Sequence, residues 1–440
     1  MIKFRRIWRI AYPIVIGNIA QNLLSITDTA FIGRLDAVSL GAAALGSVFY
    51  IAVMMLGLGF SIGVQVIVAR RYAEKHNGDI GDVLHHALLF LLPFALTVFL
   101  LLKITTKDIL FLLIRSPEVL TATSGFIHMR IWGMLFGYII YVCQAFFVGI
   151  ARTGIISFVT VLMVAVNVLL DPVLIFGYAG FEAMGVEGAA LASVISEISA
   201  VLVYAVYIYR KKSLQVYRIF ARIRYSASAM LQLVKISVPA SLQNFLSVAS
   251  WFIFFIMVEK IGEEALAVSN IGRSIYMLYL IPLWGFSSAV NSLVSYSIGC
   301  RKAMLIYPIM GKVVLLTVVS ILLLELLTFL FSGTVMSIYT DIPEIQALTL
   351  DIMPAMCLSA LGFGIGFICF NTVSGTGNTH ISLYIEIIAT CIYLAITILA
   401  VESWQWGIVR VWLVDGIYGL LMMLAALIYL KTGKWMNRQV

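Results

Sequence analysis

Two aspartates, Asp28 and Asp171, stand in stretches that are otherwise apolar, and each has polar neighbours at helical spacing. Asp28 closes the run Gln21-Asn22-Leu23-Leu24-Ser25-Ile26-Thr27-Asp28, in which Gln21, Ser25 and Asp28 share one helical face. Asp171 closes Asn167-Val168-Leu169-Leu170-Asp171, where Asn167 lies one turn earlier on the same face. Pro172 follows; it has no amide hydrogen to donate and disturbs the carbonyl a turn before it, which leaves backbone oxygen beside the carboxylate. Ser193 and Glu197 repeat the one-turn spacing. Two carboxylates, an amide and a hydroxyl suit a hard monovalent cation such as Na+. Two carboxylates held close together equally suit a shared proton. The chemistry available to Asp28, Asn167, Asp171 and Ser193 is therefore the binding and release of H+ or Na+.

Other polar residues in apolar surroundings are secondary candidates. Gln21, Ser25, Tyr138, Tyr141, Gln144 and Glu197 are expected to line a coupling path or a substrate cavity. Glu325, Glu386 and Asp415 are single acids in their runs, and structural pairing is their default role. Arg130 and Arg273 are placed to serve as counter-ions to the acids, although Arg130 stands near the start of its run and has the option of snorkelling outward. His128 and His380 read as ordinary hydrogen-bonding residues, and His85-His86 as an interfacial pair. No G-x-x-x-x-G-K-[ST] phosphate loop, H-E-x-x-H pair or G-x-S-x-G elbow occurs, and the five cysteines form no C-x-x-C. An enzyme, a bound cofactor and transport driven by ATP within this chain are all disfavoured. An ion gradient is left as the energy source.

The elements that must carry these residues follow from composition. Of 440 residues, 62% are hydrophobic and only 11% charged, too few charges to clothe a water-soluble body of this size. A bilayer core about 30 Å thick needs about 20 apolar residues per helix. Runs of that kind lie near 10–33, 40–68, 84–104, 124–150, 155–177 and 186–209. A second six lie near 234–258, 265–298, 310–332, 350–374, 380–400 and 408–430. They are continuous rather than alternating, which predicts twelve transmembrane helices and not a barrel.

Most of the 29 basic residues gather at the two termini and in the connections near 70–82, 151–154, 210–233 and 299–312. Arg34, Lys103, Lys107, Arg115, Lys260 and Arg410 are left for the opposite side. The excess marks the cytoplasmic face, so both termini and the central linker are expected there, in a multi-pass protein of the plasma (inner) membrane. The net charge of +8 is thus topological, and no nucleic-acid partner is expected.

The halves repeat. A shift of 226 residues without gaps places Pro13 on Pro239, Asn18 on Asn244, Gly46 on Gly272, Tyr50 on Tyr276 and Pro117-Glu118 on Pro343-Glu344. A three-residue contraction then sets Thr153-Gly154 on Thr376-Gly377. In this register Asp28 falls on Phe254 and Asp171 near Leu394, so the acid pair belongs to the first half alone. Six spans per half enter the membrane from the same side and predict a parallel repeat. The expected organisation is an N-terminal lobe at 1–209, a basic linker at 210–233 along the anionic inner leaflet, and a C-terminal lobe at 234–440.

Over its whole length the sequence resembles the multidrug and toxic compound extrusion (MATE) transporters. The likeness is carried by Asp28-Thr-Ala-Phe-Ile-Gly33, Asn167-Val-Leu-Leu-Asp171, Gly188-Ala-Ala-Leu-Ala-Ser193-Val-Ile-Ser-Glu197, and the Arg152-Thr-Gly154 turn with its echo Ser374-Gly-Thr-Gly377. It is most similar to the DNA-damage-inducible F-like prokaryotic branch. The resemblance implies an all-α integral membrane fold of two pseudo-symmetric six-helix bundles around a V-shaped cavity. It also implies export of drug-like, amphiphilic and often cationic small molecules by H+ or Na+ antiport through alternating access. By the same resemblance Asp28, Asn167 and Asp171 form the cation or proton site, joined by Ser193 where the branch has a threonine. The NorM-like branch instead carries acids in its seventh and tenth helices. This sequence has Ser247 in the corresponding part of the seventh and no acid between Leu358 and Thr376. A monomer embedded in lipid is expected. A flippase for lipid-linked precursors is the alternative, and it requires a basic patch for a pyrophosphate head group that only Arg130 and Arg273 are placed to supply.

Overall fold

A backbone immersed in hydrocarbon must satisfy its own hydrogen bonds, and a chain this apolar does so as helices. The computed structural model describes residues 4–114, 116–221, 224–340 and 342–436; Lys3, Arg115, Arg222 and Arg438, which belong to the charge pattern above, lie outside them. Among the described residues there are fourteen α-helices and no strand. The first seven are α1 (Phe4–Ile32), α2 (Ala37–Ala73), α3 (Asn77–Leu113), α4 (Pro117–Arg130), α5 (Gly133–Gly149), α6 (Gly154–Phe176) and α7 (Gly185–Arg210). The second seven are α8 (Ala227–Glu259), α9 (Glu263–Gly299), α10 (Ile306–Leu330), α11 (Ser332–Tyr339), α12 (Pro343–Gly375), α13 (Thr379–Ile398) and α14 (Ile408–Lys431). Eleven are long and apolar enough to cross a bilayer, and α4 with α5, bent by 48° between them, completes the twelve.

Local sequence sets the ends. Asp36 caps α2 by accepting from the Ser39 N–H at 2.7 Å, and that bond holds its carboxyl below the usual carboxylate range. Pro117 and Pro343 open α4 and α12, where a missing N–H costs nothing.

The duplication is visible in the backbone. α2 and α9 begin and end 226 residues apart, as do the α4–α5 pair and α12. Residues with positive φ recur at the same offset: Lys75 with Arg301, Ala151 with Gly377, and Ala179 with Gln405. The three-residue contraction therefore does not fall at Thr153-Gly154, as the Thr-Gly match suggests. It falls between α6 and α7, whose starts at Gly185 and Ile408 are 223 residues apart. Thr-Gly pairs occur on both sides of the same turn, and the sequence match locked onto the wrong one.

The chain divides into two compact units, one of Ile16–Ser237 and one of Val238–Val440 with the first fifteen residues. In the first, α2 packs on α4 and α5, and α6 packs on α7. The segment after α7 does not lie free: Leu214 and Tyr217 are buried, and His85 and His86 of α3 bond to it. The His85 Nε2 is 2.7 Å from the Ile219 carbonyl, and the His86 Nε2 accepts from the Ser226 N–H at 2.9 Å. These buried histidines fix the connection to α3.

In the second unit α12 packs between α9 and α14. A methyl group added to Gly366 would sit 1.9 Å from the Gly419 carbonyl oxygen, so the backbones of α12 and α14 are close enough to exclude any side chain there. With no hydrophobic force between helices in lipid, this close approach is what gives the pair its contact.

Candidate functional site

α1, α6 and α7 bring Asp28, Asn167, Asp171 and Ser193 together within the first unit. Asn167 and Asp171 are fully buried on α6, one turn apart, as their spacing requires. One end of the Asn167 amide lies 2.9 Å from Asp28 Oδ1 and 3.0 Å from Asp171 Oδ2, and with its nitrogen assigned to that side it donates to both. Its oxygen accepts from the hydroxyl and the backbone N–H of Ser193, both at 3.2 Å. Asp28 and Asp171 also lie within hydrogen-bonding reach of each other. Asp171 Oδ1 is buried and has no protein donor. Two carboxylates this close cannot both keep a bare negative charge, so a proton or a cation between them completes the arrangement.

One turn beyond Ser193, Glu197 is held in a two-pronged ion pair. Arg130 donates to its two oxygens from Nη1 at 3.0 Å and Nη2 at 2.7 Å. The guanidinium carbon lies 3.9 Å from the ring centre of Tyr50, whose hydroxyl also donates to Glu197 at 3.4 Å. Arg130 thus points inward as a counter-ion and does not snorkel.

Of the other expected residues, Gln21 and Ser25 are exposed on α1. Tyr138 is buried against Phe94, with its hydroxyl donating to the Val53 carbonyl at 2.9 Å. Tyr141 is half-buried beside the Arg130–Glu197 pair, and Gln144 is half-buried next to Tyr204. Arg273 is exposed, with its guanidinium 5.2 Å from the Phe255 ring. Among the described residues no three His, Cys, Asp or Glu side chains gather as a transition-metal site would require.

The second unit holds a different set of buried acids. Glu386 accepts from the hydroxyls of Ser247 and Tyr418, each at 2.6 Å, Asp415 accepts from the Tyr276 hydroxyl, and Glu325 faces Cys357. Each acid has a neutral partner from another helix, which is the structural pairing the sequence favours.

In the corrected register the positions equivalent to Asp28, Asn167 and Asp171 are Phe254, Tyr393 and Thr397. Phe254 and Tyr393 stack at 6.2 Å and Phe254 meets Trp412 at 5.5 Å, so aromatic rings fill the places of Asp28 and Asn167, while Thr397 stands for Asp171 and donates to the Tyr393 carbonyl. Arg130 corresponds to Met356 and Glu197 to Leu420. The joint loss of both partners across the repeat is the sequence signal for this ion pair; the sequence reading named each residue without joining them.

Comparison with known proteins agrees with the duplication. The family model MatE matches residues 13–173 and again 239–399, two copies at the same 226-residue offset. The chain is 28% identical over 309 residues to a probable multidrug resistance protein NorM of Agrobacterium fabrum, covering 68% of this chain and 65% of that one. It is 23% identical over 440 residues to a probable multidrug resistance protein NorM of Thermotoga maritima, covering 98% and 93%. Among solved structures, the outward-facing conformation of a multidrug resistance MATE family transporter of the MOP superfamily superposes with a TM-score of 0.90. There the identity is 19%, over 98% of this chain and 95% of the other.

Proposed function

The chain belongs to the MatE family, and we propose that it exports amphiphilic, often cationic small molecules across the plasma membrane in exchange for protons. The coupling site is Asp28 and Asp171, organised by Asn167 and Ser193. One observation carries the reading: two carboxylates within reach of each other, with a buried oxygen that has no donor, stand in one repeat and are replaced by Phe254 and Thr397 in the other. The set is built for one exchangeable positive charge.

The closeness of the carboxylates supports a proton. Asp28 and Asp171 lie within hydrogen-bonding reach of each other, and one shared proton satisfies both.

Exchange then follows from linkage. Proton binding at the pair and cargo binding must each weaken the other, and alternating access carries them in opposite directions. A flippase acting on a pyrophosphate head group is disfavoured, because Arg130 is committed to Glu197 and Arg273 is exposed over Phe255.

Dye efflux from proteoliposomes, with pH and sodium gradients imposed separately, tests the reading. Asp28→Asn and Asp171→Asn should each abolish exchange driven by the pH gradient. Wild-type efflux from either variant overturns the site. Efflux that follows sodium alone overturns the choice of proton.

A further inference from the structure

Arg130 is the last residue of α4, and the chain bends by 48° before α5 begins at Gly133. The guanidinium is fixed there from several directions. Glu197 of α7 takes both prongs, Tyr50 of α2 lies beneath it, and Tyr141 of α5 and Asp28 of α1 face it electrostatically. Space for the pair depends on Gly133: a methyl group there would lie 2.1 Å from Glu197 Oε2 and 2.5 Å from Arg130 Nη1. The elbow residue of a broken helix is thus the cation closest in chemistry to the coupling site, and it has two acidic partners to choose between.

We propose that Arg130 is an internal counter-cation that competes with the coupling ion, resting on Glu197 while the Asp28–Asp171 pair is loaded and turning toward Asp28 when the ion leaves. This rests on the coupling-site reading above. Losing the ion adds one negative charge to the carboxylate pair, and Asn167 ties that pair to Ser193, one turn from the Glu197 that holds Arg130. Because Arg130 closes α4, a turn of its side chain toward α1 pulls on the elbow between α4 and α5. Ion release is thereby converted into a movement of the helix carrying Gly133, Tyr138 and Tyr141. The pair has no equivalent in the second unit, where α12 runs unbroken through Met356.

The test compares two variants whose effects must have opposite sign. In Glu197→Gln, Arg130 loses its resting partner and stays on the carboxylate pair, so the coupling-ion concentration for half-maximal exchange should rise about tenfold. In Arg130→Gln the competitor is gone, and the same concentration should fall about tenfold. Arg130→Lys keeps the charge but loses the two-pronged geometry, so it should move the same way as Glu197→Gln; if Arg130→Gln does not fold, the double variant Arg130→Gln with Glu197→Gln, which leaves no unpaired charge, takes its place and should lower the concentration likewise. A pair acting only as a structural staple moves all three variants in one direction or none at all, and that result overturns the proposal. Asp28→Asn in the same vesicles separates the two levels. If it keeps a wild-type ion dependence, the coupling site itself is wrong. If it loses ion dependence while the Arg130 and Glu197 variants shift together, only the role of Arg130 is wrong.

Discussion

Replacing Asn167 by leucine removes polarity from the candidate site with little change in volume, and its cost follows from the geometry. Asn167 is fully buried and donates to Asp28 at 2.9 Å and to Asp171 at 3.0 Å. Leucine leaves both carboxylate oxygens without those donors; Asp171 is fully buried, whereas Asp28 is half-buried and can turn to solvent. A buried polar group that loses its partner costs about 1–3 kcal/mol, and we count it for Asp171 alone. The Ser193 hydroxyl loses its acceptor as well, but it can turn to a backbone carbonyl of its own helix, and we count nothing for it. Purified protein unfolded by denaturant in detergent reads the stability, and proteoliposome dye efflux reads the function. We expect Asn167→Leu to lose about 1–3 kcal/mol, by the same estimate, and to retain less than about a tenth of wild-type efflux. The control is Tyr393→Phe at the equivalent position of the second repeat, where the hydroxyl is buried without a partner and its removal leaves nothing newly unsatisfied. It should be neutral in both assays. A Asn167→Leu protein within about 1 kcal/mol of wild type and with full efflux refutes the reasoning.

Three further outcomes follow from other parts of the molecule. Glu386→Gln keeps an acceptor for the Ser247 and Tyr418 hydroxyls, so efflux should persist at wild-type ion dependence; loss of coupling would move the ion site into the second unit. Gly366→Ala forces a methyl group into the Gly419 carbonyl and should destabilise the α12–α14 contact by about 1–3 kcal/mol or more, read as a lower unfolding midpoint; an unchanged midpoint would refute the close approach. Asp36 has a lowered carboxyl pKa in the folded state, so its cap on α2 is fully present above the unfolded value of about 3.9 and is lost as pH falls through the lower folded value. Hydrogen exchange of the Ser39 amide should therefore stay slow at pH 5 and accelerate only under stronger acid, and acceleration already at pH 5 would contradict the cap.

Much of this was legible in the sequence because the bilayer leaves so few options. Apolar runs of sufficient length can only be helices there, and an aspartate one turn from an asparagine must share its face. Asp171 and Asn167 were therefore placed on one helix face by spacing alone. What the sequence reading missed were relations between distant positions. Arg130 and Glu197 are 67 residues apart and meet only because α4 and α7 pack together. The break before Gly133 was invisible for a related reason: Arg130-Ile131-Trp132 contains neither proline nor glycine to mark it. The repeat register failed at a turn, where backbone conformation and not residue identity carries the equivalence. Ala151 and Gly377 share a positive φ without sharing a side chain.

The charge arithmetic of the first unit explains why one site can serve both ion and cargo on the proposed reading. With one proton shared, Asp28 and Asp171 together carry a single negative charge, while Glu197 and Arg130 cancel. When the proton leaves, a second negative charge appears in a region that has no further cation to neutralise it except Arg130. A cationic cargo molecule and the returning proton are then alternatives for the same charge deficit, and neither needs to touch the other to exclude it. Exchange of one proton for one monovalent cation moves no net charge, so only the pH difference drives it, at about 1.4 kcal/mol or one tenfold concentration ratio per pH unit. For a neutral cargo the membrane potential adds about 2.3 kcal/mol per 100 mV. The same pair of aspartates therefore concentrates neutral compounds more steeply, while its charge gives cationic ones the better claim on the site. A second acidic pair in the other unit would double that deficit and hold cations against release. In the second unit Phe254 and Thr397 stand at the equivalent positions, so no pair of this kind adds to the deficit there.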